Sequence, residues 1–344
     1  MKRGAIVAAV LLLIPAGLSG TARAQQLDPT MSGAPPAHGS PLAPAGEREL
    51  GASSASDPVL RQTLSLIQSR EYPAASQKIQ DFLKGHPESG EAHFLFGYIL
   101  YRQQKPRESL AEYTEGARFQ KPQANDLAAV AMDYILLRDY ADADKWLTQA
   151  TAWSPQNELY WYYLGRTKYA ENHFDEAILA FNHCLALQPR DLRAKYNMGL
   201  AYAGLGRNAD AIAAYRTAID WQQNAAHPDP QPWLDLGILL LDQSQPRQAL
   251  PWLEKAAGLA PDNPRAREEL GQAYEQLHNL TAASREMEAA VALAPNIPSL
   301  HFELGRIDQR LGLAAKAKEE FARCAVLNAA HSTDATETPN PAPK

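Results

Sequence analysis

At 344 residues the chain has room for two or three ordinary domains. Its formal charge is −6, from 33 basic and 39 acidic side chains, and becomes about −9 once Lys2, Arg3 and Arg23 are set aside. That balance argues against a nucleic-acid partner, because neutralising phosphates needs a basic face.

In chain order, Lys2 and Arg3 precede an apolar run from Ala5 to Leu18, and Ala22-Arg23-Ala24 is a small-x-small cleavage pattern. Together they predict an export signal peptide over 1–24, cut after Ala24, and a periplasmic or secreted mature protein. The apolar run spans about 14 residues and is interrupted by Pro15, short of the roughly 20 a spanning helix needs, so no transmembrane segment is expected after cleavage. No cysteine lies near the site to carry a lipid anchor, and Lys2-Arg3 is not a twin-arginine signal. Residues 25–55, which include MSGAPPAHGSPLAPAG, hold too few large apolar side chains to fold and predict a disordered linker. The same composition argument predicts a disordered tail over 332–344.

Between them a unit repeats. Residues 158–191, ELYWYYLGRTKYAENHFDEAILAFNHCLALQPRD, read as two amphipathic helices. Numbering the unit from 1 to 34, Trp161 falls at 4, Leu164 and Gly165 at 7 and 8, Ala177 at 20, Phe181 at 24, Cys184 at 27 and Pro189 at 32. The small Gly165 and Ala177 let two antiparallel helices approach while Leu164 and Phe181 fill the space around them. Asn172 and His173 mark the turn, and Pro189 closes the second helix. The frame recurs from residues 56, 90, 124, 158 and 192 without a gap, then from 230, 264 and 298 after the insertion Ala226-His227-Pro228-Asp229, which reads as a longer loop. Position 20 is Ala75, Ser109, Ala143, Ala177, Ala211, Ala249, Ala283 and Ala317, and position 24 is always large and apolar. The eight units over 56–331 resemble the tetratricopeptide repeat family. Unit one departs from the pattern at Gln62 and Thr63, as a polar cap, and the last helix, expected over about 313–327, is charged enough to cap itself. Cys184 and Cys324 share position 27 and read as buried small residues and not as a bridge.

The resemblance implies an all-α fold, a right-handed superhelical solenoid of eight helix-turn-helix repeats, whose concave side is lined by positions 2, 5, 9 and 12 of each first helix. On that side the candidate partner-binding residues are Phe94, Tyr98, Tyr101, Tyr162, Arg166, Tyr169 and Tyr196, with Arg102, at position 13, and Arg193, at position 2, beside them. They predict an open aromatic surface edged with arginines, suited to an extended peptide or an amphipathic helix. The carboxylate clamp of some family members is not implied, because position 5 reads Leu60, Phe94, Ala128, Tyr162, Tyr196, Leu234, Glu268 and Phe302, with no lysine. No HExxH, phosphate loop or nucleophile elbow occurs, so neither an enzyme nor a metal or cofactor site is expected. The reading is a non-catalytic adaptor of the cell envelope. A permanent subunit of a secretion or polysaccharide-export assembly and a glycan-binding or enzyme-recruiting module stand as alternatives, and the oligomeric state is open.

Overall fold

The computed structural model describes residues 57–334. The expected signal peptide, the linker and residues 335–344 of the expected tail lie outside them. Among the described residues sixteen α-helices follow one another as eight pairs: α1 (Pro58–Gln68) with α2 (Tyr72–Gly85), α3 (Gly90–Arg102) with α4 (Pro106–Gly116), α5 (Ala124–Leu136) with α6 (Tyr140–Trp153), and α7 (Glu158–Ala170) with α8 (Phe174–Leu187). The series continues with α9 (Leu192–Gly204) and α10 (Asn208–Trp221), α11 (Gln231–Asp242) and α12 (Pro246–Leu259), α13 (Pro264–Gln276) and α14 (Leu280–Leu293), and α15 (Pro298–Arg310) and α16 (Ala314–Asp334).

Local chemistry sets the starts and stops. The side chains of Asp57, Ser89, Asn157, Asp191 and Asn263 accept from backbone N–H groups of the first turns of α1, α3, α7, α9 and α13. Each such cap is worth about 1 kcal/mol. Five second helices end two residues before a proline, at Pro87, Pro155, Pro189, Pro261 and Pro295, because the residue preceding a proline is pushed out of the helical region. The last unit has Ala329 at that place, so α16 runs on to Asp334; Ser332 to Asp334 are helical, where the sequence predicts tail. In unit five Gln223 stands in for the proline, and α10 still ends at Trp221. The loop that follows carries the insertion and is closed by Gln222, whose amide donates to the Asp229 carbonyl at 3.2 Å and whose side-chain oxygen accepts from the Asp229 N–H at 2.8 Å.

Within each pair the two helices pack closely, and each second helix packs on the first helix of the next unit. First helices of neighbouring units also pack on one another, α1 with α3, α3 with α5, α7 with α9 and α11 with α13, a closeness not seen between second helices among the described residues. The first helices therefore form the inner layer of a superhelical solenoid. The seam between layers is filled by the columns the sequence predicts: Ala177 and Phe181 are fully buried, and a Cβ on Gly165 would stand 2.6 Å from the Phe181 ring. Thr63 is buried, with its hydroxyl on the Val59 carbonyl at 2.9 Å, so only Gln62 of the expected polar cap pair faces water. Cys184 is buried, and burial pushes its thiol up to about 12. Cys324, expected to be buried, is only half-buried, because it lies in the last described unit, with no further described unit packed on it.

Candidate functional site

Position 5 of a first helix is where the next unit lands. Leu60, Phe94, Tyr162, Tyr196 and Leu234 are all under 8% exposed, whereas Phe302, in the last described unit, is 49% exposed. The aromatic row expected as an open surface is therefore largely interior. Phe94 stacks on Tyr113 with centroids 6.0 Å apart and fills the space that Gly116 leaves. Tyr98 and Tyr101 are buried side by side at 6.2 Å. The Tyr98 hydroxyl accepts from Arg102 Nη1 at 3.0 Å, and the Arg102 guanidinium lies over the Tyr72 ring at 4.9 Å. Burial pushes the phenol of Tyr101 well up.

A second group forms two units further on, around α7. Tyr162 is buried against Phe181 and Tyr163, and two guanidinium groups lie near its ring, Arg193 at 4.7 Å and Arg166 at 5.9 Å from the centroid. Burial raises the Tyr162 phenol, and the two arginines oppose the rise. Arg193 also pairs with the buried Asp191 at 2.7 Å. Arg166 is half-buried and has no carboxylate partner among the described residues. Tyr169 is half-buried, tilted on Phe174 at 5.4 Å. Tyr196 belongs to a separate core cluster, on Tyr215 at 5.9 Å, and its hydroxyl donates to Asp235 Oδ2 at 2.5 Å.

The structure thus gathers Phe94, Tyr98, Tyr101 and Arg102 around α3, and Tyr162 with Arg166 on α7, while Tyr196 packs elsewhere. Sequence reasoning missed the carboxyls of the inner layer beyond them. Burial raises Asp235, opposed by hydrogen bonds from Tyr196 and Gln231, and raises Glu269 to about 7, opposed by Arg265. Their signal was present at position 6, where units six to eight carry Asp235, Glu269 and Glu303 in a column that no core packing demands.

A solenoid of antiparallel helix pairs with an inner layer of fixed rings and arginines is a protein-interaction repeat module. The tetratricopeptide repeat model matches residues 60–125, 162–228 and 234–298, more than half of the chain, and the chain belongs to that family. Among curated proteins, the peroxisomal targeting signal receptor of Kluyveromyces lactis is 31% identical over 70 residues, a stretch that is 20% of this chain and 12% of the receptor. Among solved structures, the type IV pilus biogenesis factor PilW is 24% identical with a TM-score of 0.51, over 58% of this chain and 91% of that one. MamA from Desulfovibrio magneticus RS-1 is 25% identical with a TM-score of 0.47, over 50% of this chain and 96% of its own.

Proposed function

We propose that the protein is an exported, non-catalytic adaptor of the cell envelope that holds a peptide or helix of a partner against its inner layer of first helices. The observation that carries this reading is Arg166. Its guanidinium sits half-buried beside Tyr162, next to Arg193, without a carboxylate to neutralise it among the described residues. A partly desolvated cation whose fork of donors lacks a carboxylate is relieved by an acceptor from outside. The buried rings serve as a floor that fixes the arginines and not as anchors that enter the ligand. Such a pre-set surface lowers the ordering cost of binding. Export rests on Lys2, Arg3, the apolar run and Ala22-Arg23-Ala24.

The test is a pull-down from envelope extract with the native protein beside an Arg166→Gln/Arg193→Gln variant whose helicity is first matched by circular dichroism. A partner retained by the native chain and lost by the variant supports inner-layer recognition. Equal retention by both overturns it and moves attention to the outer layer. N-terminal sequencing of protein from the envelope fraction should begin at Gln25, and a chain that still begins at Met1 would overturn export.

A further inference from the structure

At the C-terminal end of the inner layer a cleft of about 410 Å³ opens between α13 and α15. Its base is Glu275, only 8% exposed, and its walls carry Arg306, Arg310, Gln272 and Gln276. Glu275 Oε2 accepts from Arg306 Nη2 at 2.8 Å, and Oε1 accepts from Arg310 Nη1 at 2.5 Å. One buried carboxylate therefore fixes two guanidinium groups from the next first helix, one on each oxygen. Each arginine spends one nitrogen on that bond. Arg306 keeps Nε and Nη1, and Arg310 keeps Nε and Nη2, with no hydrogen bond from them to another described residue. Both side chains line the cleft and are more than 40% exposed.

A second carboxylate shares the nitrogen that Glu275 already holds and leaves Nε and Nη1 of Arg306 open. Glu303, three residues before Arg306 on α15, also bonds to Arg306 Nη2. Such a pair within one helix turn, open to solvent, is weak and does not commit the guanidinium. Arginine forks match a carboxylate in plane and in spacing, which an amide or a hydroxyl does not reproduce.

We infer that this cleft is a subsite for an acidic side chain of the partner, bound by the open donors of Arg306 and Arg310, which Glu275 orients, with Glu303 a like charge beside them. The inference rests on the proposed inner-layer recognition and names what the last two units read. The partner segment then carries an acidic residue toward the C-terminal end of the solenoid.

The test measures binding of terminally blocked tetraglutamate to the full chain by fluorescence anisotropy in low salt, beside blocked tetraglutamine, blocked tetralysine and a tetra-alanine with a free C-terminus. Tetraglutamate is expected to bind at least tenfold more tightly than the other three. Arg306→Gln/Arg310→Gln should lose that preference at unchanged helicity, and Glu303→Gln should tighten tetraglutamate binding a few-fold by removing a negative charge that lines the cleft. Equal binding of tetraglutamate by the double variant, or no gain in Glu303→Gln, overturns the subsite. Preference for the free C-terminus of tetra-alanine overturns the side-chain assignment. Loss of the extract partner by the Arg166 variant together with its retention by the Arg306/Arg310 variant refutes the cleft while leaving the inner-layer reading intact. Retention by both refutes the inner-layer reading itself.

Discussion

Gly237 and Gly271 occupy position 8 of successive units, and the structure gives them opposite tolerances. A Cβ on Gly237 would stand 2.4 Å from Leu253 Cδ2 and 2.5 Å from its Cγ, and Leu253 is fully buried with nowhere to move. Gly237→Ala should therefore cost roughly 1–3 kcal/mol by overpacking. Around Gly271 the nearest atoms are 3.4 Å away, ordinary contact, and the partner at position 24 is the flexible Met287. Gly271→Ala should be neutral or stabilise by up to about 1 kcal/mol, because alanine is the better helix former. Urea unfolding of the two variants checks the contrast, and similar losses in both would show that position 8 is packed alike in every unit. A sequence column of small residues announces close helix approach but not how hard the partner presses. The partner differs at each unit, Phe181, Tyr215, Leu253 or Met287, and only the packed geometry ranks them.

At the scale of the helix pair, every unit turns through one left-handed residue at position 15. Glycine serves in two units, at Gly206 and Gly312, and Arg70, Gln104, Arg138, Asn172, Ser244 and His278 adopt φ of about 60° in the other six. A left-handed conformation costs a residue with a Cβ roughly 1–2 kcal/mol, less for Asn. Arg138 is exposed, so Arg138→Gly removes strain without removing packing and should stabilise the fold by about 0.5–1 kcal/mol. Thermal unfolding followed at 222 nm measures it, and a lowered midpoint would mean that the arginine side chain contributes more than the strain costs. The turn was legible in outline at Asn172 and His173. Nothing in an arginine or a glutamine marks the same conformation, because helices that pack on both sides impose it. The histidines at position 4 show a similar limit: His93 and His301 each place Nδ1 2.6 Å from a glutamate, Glu112 or Glu320, and Nε2 3.0 Å from the carbonyl of Pro87 or Pro295 in the preceding unit. Trp161 reaches the Pro155 carbonyl from that same position at 2.9 Å. These clasps tie consecutive units together, and the one-letter pattern shows only their spacing.

Across the described residues, one buried and several half-buried carboxyls give stability an unusual dependence on pH. Burial raises Asp126 to about 6, Glu269 to about 7 and Asp133 to about 8, and raises Asp235 and Glu268 as well. A carboxyl raised in the folded chain keeps its proton where the unfolded chain has released it, so folding takes up protons and stability falls as pH rises from about 4 toward the folded value. Glu176, lowered by Lys168, acts in the opposite direction. The melting midpoint should therefore climb on acidification from pH 8 to pH 5, and a calorimetric midpoint that falls over that range would contradict the burial of these groups. Asp133 is the sharpest case. It is fully buried, its Oδ2 lies 2.5 Å from Ser109 Oγ, its Oδ1 has no partner, and Ser109 in turn reaches the Gly97 carbonyl at 2.7 Å. Protonated Asp133 donates to Ser109, which donates to Gly97, and asparagine keeps that chain without a titrating proton. Asp133→Asn should stabilise the protein by roughly 1–3 kcal/mol at pH 8 and hardly at all at pH 4. Equal effects at both values would show that Asp133 does not change its charge in this window.

The sequence by itself determined the helix pairs, their turns and the columns of small and large residues between them. These follow from contacts within one unit, and the 34-residue period repeats them eight times over. Ser109 even marked its own exception in the alanine column, although its reason, Asp133 of the next unit, becomes visible only in the fold. The tertiary structure decided what the inner layer exposes. Whether a tyrosine at position 5 faces a ligand or a neighbour depends on how the following unit lands on it, and that landing covers Tyr162 and Tyr196 while leaving Arg166, Arg306 and Arg310 partly open. Rings are driven under the next helix by the apolar area they bury, whereas guanidinium groups stay at the surface because desolvating a charge costs more than packing returns.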